Sequence, residues 1–97
     1  MSLHGFELGR KLNKGKKEYF GKYRAFVTKN VDPMKMGRIK VKCPAVLGDY
    51  ESAWALPCLP PKVKNLPSVG ELVWVEFEEG NPDLPIWTGV WYKEKSF

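Results

Sequence analysis

Few residues of this chain could take part in bond-making chemistry. Glu76 and Glu78 are two positions apart, so on a strand their carboxylates would share a face about 7 Å apart, a spacing compatible with acid–base catalysis. The same pattern is common on solvated strands, and nothing in the sequence implies a cleft with further polar groups around it. This pair alone therefore does not predict an enzyme.

The other reactive side chains are equally sparse. The only histidine is His4, and Cys43 and Cys58 form no CxxC pair. A Cys/His zinc site needs three or four ligands, and a catalytic cysteine or serine needs a base beside it. We therefore expect no catalytic, metal-binding or cofactor-binding residues. The composition favours a binding or structural module.

Tryptophans are the most prominent candidates for contact with a partner. Trp74 lies on the same face of its strand as the glutamates that follow it. Trp87 and Trp91 share one face of the last strand, and they point outward if the other face points inward. That other face consists of Ile86, Thr88, Val90 and Tyr92. Large outward aromatic side chains usually mark a binding surface. We predict that Trp74, Trp87 and Trp91 contact a partner. The alternative is a small apolar cluster covered by the N-terminal segment or a long loop.

Basic charge is concentrated in the first part of the chain. The 97 residues have a formal net charge of +5, but residues 1–42 carry twelve Lys/Arg against three Asp/Glu, whereas residues 43–97 carry four against eight. Clustered basic residues attract phosphates or an acidic protein face, although a solvated tail has the same composition. We interpret residues 1–18 as a basic arm, flexible or ordered by a partner, with Lys14, Lys16 and Lys17 as candidate contacts.

Residues 19–97 have the pattern of one domain made of short strands. In the second predicted strand Ile39, Val41 and Cys43 alternate with basic residues, which is the clearest period of two in the sequence. Turn residues separate five such segments, at 23–28, 38–43, 54–59, 72–78 and 86–92. No helix is predicted. The fold class is all-β, a small five-stranded OB-fold barrel, with an SH3-like barrel as the competing architecture.

The two cysteines and the lack of long apolar segments indicate the cellular compartment of the protein. Two cysteines do not make a disulfide scaffold, so we expect Cys43 and Cys58 to be reduced and buried in a protein that is assembled in the cytoplasm. No stretch approaches the roughly 18 apolar residues of a membrane span, and no apolar segment of a secretory signal follows the basic N-terminus. Neither a membrane span nor a signal peptide is expected.

The second half of the chain carries an extended motif. Residues 67–92 read P-S-V-G-E-L-V-W-V-E-F-E-E-G-N-P-D-L-P-I-W-T-G-V-W-Y, and upstream lie Asp32-Pro33, then Gly37-Arg38-Ile39-Lys40-Val41, and then Trp54-Ala55. In this order the elements resemble the OB-fold domain of phage baseplate central spike proteins, which also occurs in the valine-glycine repeat spike proteins of type VI secretion. The resemblance covers about residues 19–92 and leaves out the basic arm.

The resemblance implies a function and a set of partners. In that family the domain connects a trimeric hub to a central spike, so it implies a non-enzymatic structural adaptor of a phage tail baseplate or a related contractile injection machine. It further implies a homotrimer that binds a hub protein and a spike or spike-tip protein in the virion. The lysozyme or β-helical segments of some relatives do not follow here, and an isolated adaptor is therefore expected.

Two other functions remain open. An OB fold with a basic arm is also typical of single-stranded nucleic-acid-binding proteins, but the strands that bear the tryptophans are acidic and would repel phosphate. Nucleic acid is therefore the alternative rather than the expected partner. An enzyme is the third reading, and it rests only on Glu76 and Glu78.

Overall fold

The computed structural model describes residues 17–92, which form a curled sheet of five strands with almost no helix. The elements in chain order are β1 (Tyr23–Lys29), β2 (Lys40–Lys42), helix α1 (Pro44–Leu47), β3 (Leu56–Pro57), β4 (Leu72–Phe77), a 3₁₀ turn (Glu78–Gly80) and β5 (Pro85–Val90). All five predicted strands are present, most of them shorter than predicted. The one helix, a single turn that begins at proline, lies where the sequence indicated a loop.

The pairing of the strands is that of an OB-type barrel. The order in the sheet is β2-β1-β4-β5-β3, and every pair is antiparallel except β3 with β5. The two edges meet at Ile39 and Ala55, whose backbones exchange N–H···O bonds of 3.1 and 2.7 Å. A five-stranded sheet that curls until its edges meet removes most of the free edge, as in the predicted fold class.

The interior of the curled sheet is apolar and fully covered. Ile39, Val41 and Cys43 have no exposed surface, and the inward face of β4 is equally buried, so the alternation read from the sequence is confirmed for both strands. The core consists of Ala25, Val27, Ile39, Val41, Cys43, Ala55, Val73, Val75, Phe77 and Trp87. Only one of the cysteines belongs to it: Cys58 is exposed, so its predicted burial was wrong.

The predicted orientation of the last strand was right for Val90 and Trp91 but wrong for Ile86 and Trp87. Trp87 points into the core and is only 2% exposed, whereas Ile86 lies on the outer face opposite Glu76, and Tyr92 is exposed. The cause is an irregularity in the register, where Trp74 pairs with Gly89 but the next residue of β4 pairs with Trp87. One extra residue on β5 reverses the phase of the alternation, because side chains on a strand point to opposite faces in turn.

Candidate partner-binding surfaces

An arginine and two tryptophans form a cluster on the outer face of the sheet. Arg24 on β1 is directly opposite Trp74 on β4, and its guanidinium carbon lies 5.6 Å from the centroid of the Trp74 ring and 4.7 Å from that of Trp91. The two rings are 6.3 Å apart and tilted by 52°. Both rings are half-buried, so the predicted outward position holds for Trp74 and Trp91, which the irregularity in β5 brings onto one face.

Contacts within the chain already cover part of the apolar surface of this cluster. Guanidinium–indole contacts of this length are favourable, so Arg24 covers part of the apolar surface that the rings would otherwise expose. The Trp91 indole nitrogen, however, is buried without a hydrogen-bond partner among residues 17–92. A buried donor without an acceptor lowers the stability of the fold, so the chain alone would gain stability if the Trp91 indole N–H found an acceptor.

Trp87 lies in the interior of the barrel rather than on its outer face, and the partner contact predicted for it stays a prediction. Its indole N–H donates a 3.0 Å hydrogen bond to the carbonyl of Gly37, so the ring joins β5 to the β1–β2 loop. Gly37 has a φ of +76°, and a Cβ there would lie 3.3 Å from the Pro57 ring. The hydrogen bond therefore gives Trp87 a structural role, because it holds the β1–β2 loop against the barrel where Gly37 packs on Pro57.

The basic arm lies almost entirely outside the part of the chain that the structure describes. Lys14 and Lys16 are not among the described residues, and Lys17 is exposed at their edge. The arm and the contacts predicted for these three lysines therefore stay predictions.

The β1–β2 loop is built around one buried carboxylate. Asp32 accepts backbone N–H bonds from Met34, Met36 and Arg38, and the Arg38 guanidinium donates two more, at 2.8 and 3.0 Å. The Arg38 side chain and these backbone donors hold the pKa of Asp32 well below its usual range, although burial opposes the shift. The Asp-Pro and Gly-Arg elements of the motif thus fix the shape of this loop.

A groove lies between this loop and the β3–β4 connection. Its volume is about 710 Å³, and its lining is mainly apolar, with Trp87 and Pro57 on the inner side. The Asn30 side-chain amide donates a 3.1 Å bond to the carbonyl of Pro67, which ties the two loops together. Of the described residues in the lining, Lys35 and Lys64 are cationic and Asp32 alone is acidic.

Trp54 lies between two basic side chains, one in the β1–β2 loop and one at the start of β2. The ring of Trp54 has the Arg38 guanidinium carbon at 5.4 Å and the Lys40 ammonium at 5.2 Å from its centroid. Trp54 thus differs from the tryptophans on the acidic strands, because its neighbours are cations. In OB folds the face of strands 2 and 3 is where oligonucleotides bind.

The paired carboxylates do not form the predicted arrangement. Glu76 lies on β4 and its carboxylate is 3.4 Å from the Lys22 ammonium, while Glu78 begins the 3₁₀ turn and is off the strand. Residues 17–92 contain no group of three side chains placed to hold a metal ion. None of their helices is long and apolar enough to cross a membrane.

Charge is distributed unevenly between the two ends of the barrel. The β1–β2 and β3–β4 loops lie at one end and carry Lys35, Lys62 and Lys64 against Glu71, with Asp32 neutralised by Arg38. The β4–β5 turn lies at the other end, where residues 76–84 contain four acidic side chains and Lys22 pairs with one of them, Glu76. The barrel therefore presents a basic, partly apolar end and an acidic end.

Sequence reasoning missed the groove and the carboxylate that organises it. Asp32 and Arg38 were recognised only as motif positions, and nothing in a single sequence shows that a carboxylate six residues before an arginine will pair with it. The sequence nonetheless contained one indication of a binding surface in this loop. Val31, Met34 and Met36 are apolar residues in a segment of turn composition, and all three are exposed.

Comparison with known proteins agrees with this geometry. No curated protein sequence matches the chain. The model of one family, described as the type VI secretion system/phage-baseplate injector OB domain, matches residues 23–92. The match begins at the first residue of β1 and runs two residues past β5, so it includes every strand of the barrel. The chain therefore belongs to the family of type VI secretion and phage-baseplate injector OB domains.

Proposed function

We propose that this chain is a non-enzymatic structural adaptor that links the hub of a phage tail baseplate, or of a related injection machine, to its central spike. The family match over residues 23–92 carries the proposal, because it covers the whole barrel and names the machine. Among the described residues no acid–base pair, metal site or activated nucleophile favours catalysis instead.

The charge distribution supports a connecting role. A domain that joins two different partners must offer two different surfaces, and the barrel has a basic, partly apolar end and an acidic end. Complementary charge of this kind selects a partner and fixes its orientation more than it adds affinity.

The Arg24–Trp74–Trp91 cluster is the proposed lateral contact between subunits of a homotrimer. Half-buried tryptophans with an adjacent arginine have the composition of interface hot spots. An acceptor supplied at a subunit interface, after a small movement of the ring, would satisfy the Trp91 indole nitrogen. The basic arm, with Lys14, Lys16 and Lys17, is proposed to bind an acidic surface of the hub.

Co-expression with the hub and spike proteins encoded beside this chain tests the proposal. Light scattering of the purified complex should give a mass that includes three copies of the chain, about 33 kDa at 11.1 kDa each. Trp91→Ala should reduce the copy number or the yield of the complex, whereas a substitution of exposed Tyr50 should not. Failure of the wild-type chain to bind either neighbour would refute the adaptor function.

Single-stranded nucleic acid binding is the second candidate, favoured by Trp54 with Arg38 and Lys40. It ranks lower because the charge of Arg38 is committed to Asp32, which leaves less net charge for phosphate. A gel shift with a single-stranded oligonucleotide at low and moderate salt tests it. Tight, salt-sensitive binding that Trp54→Ala removes would favour this function over the adaptor.

A further inference from the structure

The groove between the β1–β2 and β3–β4 loops has the properties of a docking site. Six of the eleven exposed large hydrophobic side chains of residues 17–92 lie in these two loops: Val31, Met34, Met36, Val63, Leu66 and Val69. Val31 is 81% exposed and Met34 65% exposed. Clustered apolar exposure of this degree at one end of a small domain marks an interaction surface.

The walls of the groove are set before any partner arrives. Five hydrogen bonds to Asp32 fix the β1–β2 loop, and the amide of Asn30 joins it to the β3–β4 connection at Pro67. The indole of Trp87 holds the loop from below through Gly37. A rigid groove loses little conformational entropy on binding, which favours recognition of a short segment.

The charge of the groove specifies the occupant. Lys35 and Lys64 lie in the lining, and the one carboxylate there, Asp32, has both oxygens engaged by Arg38 and backbone N–H groups. A ligand therefore meets apolar surface with uncompensated positive charge at its margin. Residues 1–16 do not complement this site, since they carry four Lys/Arg and one Glu.

We propose that this groove binds an extended segment of a partner protein in which apolar side chains alternate with Asp or Glu. The apolar side chains would cover Val31, Met36 and Val63, and the carboxylates would lie near Lys35 and Lys64. This inference rests on the proposed function and adds to it the surface and the chemistry of one partner. Small domains commonly recognise short extended segments in this way.

Titration of the 97-residue chain with a synthetic peptide, followed by NMR, tests the groove directly. The probe is acetyl-Glu-Leu-Asp-Ile-Glu-Leu-Asp-amide, and its two controls carry Gln and Asn, or Lys, in place of the acidic residues. The acidic peptide should shift the Trp87 indole N–H signal and the amide signals of Met36 and Lys64. It should bind several-fold more tightly than the neutral control, and the Lys peptide should not bind.

A matched pair of charge reversals separates the groove from general attraction. Lys64→Glu should weaken binding of the acidic peptide about fivefold to tenfold, whereas Lys22→Glu, the same change outside the groove and beside Glu76, should leave it within about twofold. Equal binding of the three peptides, equal effects of the two substitutions, or no shift at millimolar peptide would overturn the proposal.

Other occupants would give different signals. Shifts of the same resonances by a twelve-nucleotide oligo-dT, or with rising concentration of the chain alone, would assign the groove to nucleic acid or to a second copy and would refute a partner segment. The adaptor function is judged separately by co-purification with the hub and spike. A complex that forms normally with Lys64→Glu would retain that function and refute the groove as its contact.

Discussion

Replacement of Trp87 by alanine should strongly lower the free energy of unfolding of the barrel rather than act mainly on assembly. The side chain is 2% exposed in the centre of the core, and removal of a buried tryptophan costs about 3–5 kcal/mol. The carbonyl of Gly37 also loses its 3.0 Å hydrogen bond from the indole, which adds about 1 kcal/mol. A domain of this size has a free energy of unfolding of about 5–15 kcal/mol, so the loss is a large share of the total.

Urea unfolding followed by far-UV circular dichroism measures this loss without depending on tryptophan emission. At a slope of about 2 kcal/mol per M urea, a loss of 4 kcal/mol lowers the midpoint by about 2 M. Trp87→Phe separates packing from the hydrogen bond, because it keeps an aromatic ring but has no N–H. It should cost less than the alanine variant, about 1–3 kcal/mol.

Trp91→Ala is the matched control for this measurement. Its ring is half-buried on the outer face and contacts Arg24 and Trp74, so its removal should cost about 1–2 kcal/mol and leave the domain folded. If Trp87→Ala costs less than about 1 kcal/mol, or less than Trp91→Ala, the assignment of Trp87 to the core and the register irregularity that explains it are both refuted.

Two further predictions concern the ionisable groups of the barrel. The folded state lowers the pKa of Asp32, so the stability that this carboxylate contributes is present above the pKa of the unfolded chain, near 4, and is lost as the pH falls below it. Asp32→Asn should therefore lower the urea midpoint at pH 7, and the difference from wild type should shrink toward pH 2; a constant difference would contradict the Arg38 pairing. Burial raises the pKa of the Cys43 thiol, so a thiol-specific disulfide reagent should modify only Cys58 in the native chain and both thiols in urea. Rapid modification of two thiols without denaturant would show that Cys43 is not buried.

The sequence predicted the strands and two of the inward faces because those features depend on local pattern. Ile39, Val41 and Cys43 alternate with charged residues, and an inward-facing charge would be far more costly than an inward-facing valine. The same physical rule predicts that Val73, Val75 and Phe77 face inward on β4. The fold class followed from the number and length of such segments together with the family motif.

The orientation of β5 could not be predicted in the same way, because both of its faces are apolar. Ile86 and Val90 compete with Trp87 and Trp91 for the interior, and alternation alone gives no preference between them. The deciding feature is the irregularity beside Gly89, whose φ of +137° few other residues adopt. A glycine between two tryptophans signals that the phase can change there, but only the pairing with β4 shows that it does.

The groove escaped prediction for a different reason, namely that its walls come from loops far apart in the sequence. Asn30 and Pro67 are 37 residues apart, and Trp87 lies 50 residues from the glycine it contacts. Such contacts depend on the closure of the barrel, which places the β1–β2 and β3–β4 loops at the same end. Exposed methionines and valines in a turn segment were the only local sign of it.

The difference between the two ends of the barrel gives a physical basis for direction in an assembly. In a trimer with cyclic symmetry, rotation about the axis leaves the orientation of each subunit along that axis unchanged. If the barrel ends face along the axis, three basic grooves then lie on one side and three acidic β4–β5 turns on the other. A partner that carries acidic, apolar segments can bind only the first side, and a basic partner only the second. In the proposed adaptor this difference would set the order of hub and spike without any moving part, and reversal of the charge at one end should abolish binding of one partner while the other still binds.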